Sequence, residues 1–175
     1  MSHLPPHMQR RTFLKLGIAS AVVLAVAGGA VALMKPGLVD NKITPGTRLI
    51  LTQVAQAMLA GSLPVDAAER QRILDGMMER TDVFIGGLPT HVQAELSQLF
   101  ALLDTAVGRR GIVGMSSSWE AATVGETTQA LIAMRGSGME LRIQAYQGLH
   151  DMVCVPYFAG QESWALLGYP GPIAV

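Results

Sequence analysis

From Leu16 to Met34 the chain runs for nineteen residues without a charge, and this run decides how the rest must be read. As a helix it would span about 28 Å, close to the hydrocarbon core of a bilayer, and a segment apolar on every side is no candidate for one face of a small domain. Residues 1–35 are therefore set apart as a leader, and residues 36–175 are left to fold. About 140 residues is the usual size of one domain with one core. Half of the chain is hydrophobic and 15% is charged, so a packed interior is easily supplied.

The apolar run is preceded by Gln9, Arg10, Arg11, Thr12, Phe13, Leu14 and Lys15. This resembles the twin-arginine export motif, whose pattern is Ser/Thr, Arg, Arg, any residue, Phe, Leu, Lys. Arg10, Arg11, Phe13, Leu14 and Lys15 match it, and Gln9 replaces the hydroxyl residue. An ordinary anchor with basic residues on its cytoplasmic side is the competing reading. Gly17, Gly28 and Gly29 make the run only moderately hydrophobic, which suits the export signal better. The resemblance implies recognition by the twin-arginine translocase and export of a folded cargo, often one that carries a cofactor or travels with a partner that does. Small-x-small sites at Ala25-Val26-Ala27 and Ala30-Val31-Ala32 would permit cleavage, whereas the length of the run would permit retention. The expected location is the periplasm, with the domain tethered to the inner membrane if the helix is kept.

Formal net charge is zero, but four of the thirteen Lys and Arg lie in the leader, so beyond it nine basic residues face thirteen acidic ones. A mildly acidic domain lacks the basic face that phosphate neutralisation requires, and nucleic acid is excluded as a partner. Cys154 is the one cysteine, so no disulfide forms within the chain. Ten methionines are many for this length. Met77, Met78, Met134, Met139 and Met152 fall in segments that read as helices, where flexible thioethers fill core gaps or line adaptable partner surfaces.

Apolar spacing and start signals give the expected elements. A first helix runs from Arg48 to Ala60 with Leu51, Val54 and Met58 on one side, closed by Gly61 and Pro64. Asp66 with Glu69 opens a second, carrying Ile73, Leu74, Met77 and Met78 as far as Gly86, Gly87 and Pro89. Thr90 with Gln93 opens a third, striped by Val92, Leu96, Leu99 and Leu103. Ser117 with Glu120 and Thr123 with Glu126 suggest a turn running into a fourth helix that ends at Gly136. Ser137 with Glu140 opens a fifth, in which Met139, Ile143, Tyr146, His150 and Val153 share a face until Pro156 kinks or stops it. A short helix can follow from Gln161 to Leu167, and then an extended tail. No segment alternates long enough to read as a strand and no repeat is present, so the fold class is all-α: an irregular bundle of about five to six helices behind an N-terminal signal or anchor helix.

Little in the domain reads as chemistry. His91 and His150 stand far apart with no second ligand at metal spacing. His150 beside Asp151 is an acid-base pair only on paper, since neighbours on a helix diverge, and a packed core or interface histidine is the better reading. Cys154 sits between Val153 and Val155, which would raise its pKa. Scattered glycines form no phosphate-cradling loop, and Ser116, Ser117 and Ser118 have no base placed beside them. Arg109 and Arg110 read as a solvated turn after a helix. No catalytic residue and no metal site are assigned.

The last twenty residues are more specific. Tyr157-Phe158 is followed by Trp164 and then by Gly168-Tyr169-Pro170-Gly171-Pro172. This resembles the end of the gluconate 2-dehydrogenase subunit 3 family, the small subunits of membrane-bound flavin dehydrogenases. The resemblance implies a non-catalytic, cofactor-free subunit that binds a large FAD-dependent oxidoreductase of the glucose-methanol-choline class acting on a sugar, alcohol or related substrate. It further implies that the subunit helps the enzyme mature, in a chaperone-like role, and exports it as a hetero-oligomer, electrons then passing to a cytochrome c subunit or another membrane acceptor. Tyr157, Phe158, Trp164, Tyr169, Pro170, Gly171 and Pro172 are the expected partner contacts, because aromatics bring apolar area at low rotamer cost and prolines stiffen the tail. A stand-alone periplasmic ligand-binding protein or enzyme, or a membrane-anchored structural protein, are the alternatives.

Overall fold

The computed structural model describes residues 34–164 and 166–170, so the leader, with Arg10, Arg11, Phe13, Leu14 and Lys15, and the tail residues Gly171 and Pro172 lie outside the described residues. The domain is mostly helical. Its first element is nevertheless a small hairpin, ahead of the first helix expected from the sequence. Strands β1 (Leu38–Val39) and β2 (Lys42–Ile43) pair antiparallel, Leu38 opposite Ile43. Asp40 and Asn41 both take positive φ, 50° and 62°, as a two-residue turn of matching twist needs. Strands of two residues have no period to detect, which is why they are invisible to pattern reading. The hairpin is tied down by Gly37, whose N–H donates to Ser97 O at 3.1 Å, and by the Ile43 N–H, which donates to Asp82 Oδ1 at 2.8 Å. A Cβ on Gly37 would stand 2.5 Å from Phe100 Cβ, so this close approach requires glycine.

Helix α1 (Pro45–Met58) starts three residues earlier than its apolar stripe suggests, with Thr44 as N-cap and Pro45 in the first turn. The Thr47 hydroxyl donates to Gly37 O at 2.6 Å and locks the hairpin to that start. Helix α2 (Ala67–Gly86) is capped as expected, Asp66 Oδ1 accepting from Glu69 N at 2.8 Å. Helix α3 (Thr90–Asp104) has Pro89 at its N-cap and no side-chain cap; Gln93 instead donates to Leu88 O at 2.8 Å. Thr105 caps the single turn α4 (Ala106–Gly108), which passes into a π-helical turn, Arg109–Val113, ended by Gly114 at φ 87°. Trp119 is buried and its indole N–H donates to Leu103 O at 2.8 Å, closing this loop onto α3. Helix α5 (Val124–Arg135) is capped by Thr123, which accepts from Glu126 N at 3.1 Å, and helix α6 (Glu140–Phe158) has Met139 as N-cap.

α1 is the central helix, packed against α3, α5 and α6, while α2 covers another side of α6. Ile50, Leu51, Val54 and Ala55 of α1 are fully buried among Met77, Phe100, Leu103, Met134, Leu149 and Val153. Met78, Met115 and Met152 also fill the core, whereas Met139 is 57% exposed. Two expectations need correction. Arg109 is buried rather than solvated, because the π-turn rolls it inward. The buried face of α6 is Ala145, Leu149, Met152, Val153, Pro156 and Tyr157, so of the face expected from spacing only Val153 is buried, with Tyr146 partly buried against the core. α6 is apolar on two sides, and spacing alone does not say which one the neighbours cover. The helix runs two residues past Pro156, which withholds an N–H from the Met152 carbonyl. Among the described residues no helix is long and apolar enough to cross a membrane.

Candidate partner surface and interhelical cleft

The last turn of a helix leaves four carbonyls without intrahelical donors, and at the end of α6 each finds one. Val155 O accepts from Ala159 N at 3.1 Å and Tyr157 O from Gly160 N at 3.0 Å. Phe158 O accepts from Ser163 Oγ at 3.3 Å, and Pro156 O from Arg80 Nε of α2 at 2.7 Å. The same Arg80 guanidinium pairs with Glu162, in the 3-10 turn Gln161–Ser163, and so clamps the chain beyond α6 against α2.

Where a short helix from Gln161 to Leu167 is expected, the chain makes the 3-10 turn and then a second turn. The Leu167 N–H donates to Ser163 O and Trp164 O, the Tyr169 N–H returns to Trp164 O at 2.9 Å, and Gly168 takes φ 65°. The result is a closed turn in which the Trp164 and Tyr169 rings meet edge to face, centroids 5.3 Å apart. A left-handed glycine and an aromatic pair turn the backbone back where Pro170 would otherwise stiffen it.

The expected contact residues therefore divide. Tyr157 is 1% exposed and belongs to the chain's own core, its hydroxyl donating to Ser62 O at 3.0 Å. Burial, and after it the charge of Glu162, pushes that hydroxyl's pKa up. Phe158 leans edge-on against Tyr157 with its other side in solvent. Trp164 is half-buried, and Tyr169 and Pro170 are exposed. Leu166 and Leu167, each 58% exposed, and Val155 lie among them and were not singled out by sequence.

A second feature is a cleft of about 340 Å³ between α1, α5 and α6. Ala57 and Met58 come from α1, Thr128, Leu131, Ile132 and Arg135 from α5, and Tyr146, His150 and Cys154 from α6. The last three are part of the second apolar face of α6. His150 is partly exposed rather than core-packed, and its Nδ1 does reach Asp151 Oδ1, at 3.1 Å, although the two are adjacent in sequence. The contact forms at the helix surface, where both side chains are free to bend outward. Burial, followed by the Asp151 charge, raises the Cys154 thiol pKa, which disfavours the thiolate.

Around the π-turn, Arg142 Nε donates to Ile112 O at 2.8 Å and its Nη2 to Val113 O at 3.3 Å. Buried Arg109 Nε has no partner among the described residues. Glu120 is held below the usual carboxylate range by its own backbone N–H and the Ser118 hydroxyl, with a smaller contribution from Arg109. Among the described residues no three His, Cys, Asp or Glu side chains converge as metal ligands. Compared with protein-family models, curated proteins and solved structures, the chain matches none.

Proposed function

We propose that this chain is the small, non-catalytic subunit of a membrane-associated oxidoreductase, carrying a large FAD-dependent dehydrogenase of the glucose-methanol-choline class through the twin-arginine pathway and helping it mature. The observation that carries the reading is the pairing, in one chain, of Arg10-Arg11-x-Phe13-Leu14-Lys15 at the start with the aromatic pair, Trp164 and Gly168 to Pro172 at the end. Two physical features support it. Phe158, Leu166, Leu167 and Tyr169 present apolar side chains to solvent at one end of the domain. The Arg80 clamp and the closed turn hold the backbone beneath them in one conformation, so little ordering entropy is lost when a partner binds. A cofactor-bearing partner also accounts for the choice of a pathway that exports folded cargo.

The test is to replace Arg10 and Arg11 together by lysine, which keeps the charge but removes the planar guanidinium fork. Both this chain and a larger, yellow, FAD-bearing protein should then fail to reach the periplasm. Export of the flavoprotein at its normal level with this leader disabled would refute shared export.

A further inference from the structure

We propose that the cleft between α1, α5 and α6 is a binding site for a small amphipathic carboxylate, whose apolar body lies on Met58, Leu131 and Ile132 and whose carboxylate meets Arg135. The proposal is independent of the assembly reading above, since none of these residues belongs to the C-terminal surface.

The first argument is shape: three helices line a solvent-open cleft of about 340 Å³, at the lower end of the range that small-molecule sites occupy. The second is charge. Arg135 lines the cleft and makes no ion pair or side-chain hydrogen bond among the described residues, and no carboxylate lines the cleft to neutralise it. His150 is the other titratable base there, and its Nδ1 is already turned to Asp151. An unopposed guanidinium beside an apolar floor selects an anion with an apolar part. The third argument is chemical variety at the walls: the Tyr146 hydroxyl adds a neutral donor that can orient a bound carboxylate, while the Thr128 hydroxyl, which donates to Val124 O at 2.8 Å, offers an acceptor to the ligand's substituents. A surface meant only to be covered by the domain's own packing has no use for that combination.

Because Cys154 is the single cysteine and lines the cleft, the chain carries its own reporter. The experiment measures the alkylation rate of Cys154 in the full chain with increasing phenylbutyrate, and in parallel with the uncharged alcohol of the same skeleton. Phenylbutyrate should slow labelling in a saturable way at concentrations where the alcohol does not. Arg135→Gln should weaken that protection by roughly tenfold or more, the cost of losing a charge-assisted hydrogen bond. Arg135 is exposed, so the variant keeps the fold, which circular dichroism checks. Equal protection by acid and alcohol, undiminished protection in Arg135→Gln, or an unchanged labelling rate in phenylbutyrate would each overturn the assignment.

Discussion

The two faces of α6 are built from similar residues and are treated differently by the fold. On one, Ala145, Leu149, Met152, Val153 and Tyr157 are buried against α1 and α2. On the other, Tyr146, His150, Cys154 and Phe158 are only partly covered, the first three by the walls of a cleft and the last by the edge of Tyr157. Helical periodicity treats both as candidate core. The neighbours decide, and the face they leave open is the one free to meet something outside the domain.

The contrast is broken most severely on the buried side. Leu149→Ala removes a fully buried side chain from the centre of the core and should cost about 2–5 kcal/mol, whereas His150→Ala, one residue away, should stay within about 0.5 kcal/mol. Denaturant unfolding of both variants measures the difference, and equal losses would dissolve the distinction between the faces.

Tyr157 sharpens the comparison at intermediate size. Tyr157→Phe keeps the ring and leaves the Ser62 carbonyl without its donor, which should cost about 1 kcal/mol. Its folded-state pKa is raised, so the protonated hydroxyl contributes stability in full below the unfolded value of about 10 and loses it as pH climbs through the higher folded value. The gap between wild type and Tyr157→Phe should therefore narrow above about pH 10 in thermal melts. A gap constant with pH would mean that the hydroxyl is not held as described.

The smallest effect belongs to the open face. With its pKa raised by burial and by Asp151, Cys154 in the folded chain should be alkylated more slowly near pH 8 than in the denatured chain. Asp151→Asn should recover only part of the loss, because burial is the larger cause. Folded and denatured rates that agree would contradict the partial burial of the thiol.

These faces also mark where the sequence is legible. Asp66 with Glu69 and Thr123 with Glu126 start helices as their spacing promises, because a cap is a local contact written within four residues. Ser137 with Glu140 marks the start of α6, yet Met139 is the N-cap and the Ser137 hydroxyl serves its N–H instead. What depends on distant partners is not written locally. The hairpin exists because Gly37 and Ile43 find Ser97 and Asp82, Arg109 is buried by a π-turn, and the closed C-terminal turn leans on Arg80, some eighty positions earlier in the chain. The cleft was illegible for the same reason, since its walls come from three helices. Of the C-terminal surface, the aromatic motif was readable, but the inward turn of Tyr157 and the exposure of Leu166 and Leu167 were not.

The proposed assembly role requires the exposed end of the domain to hold a flavoprotein partner. Its most direct measurement is co-purification of a tagged chain from solubilised membranes, comparing wild type with Phe158→Asp combined with Leu167→Asp. Both side chains are substantially exposed, so the fold should persist by circular dichroism. A buried charge at an interface anchor should weaken binding by about 2 kcal/mol or more, roughly thirtyfold. A larger, FAD-bearing protein should elute with the wild type and be lost from the folded double variant. No flavoprotein with the wild type, or the same amount with both chains, would contradict it.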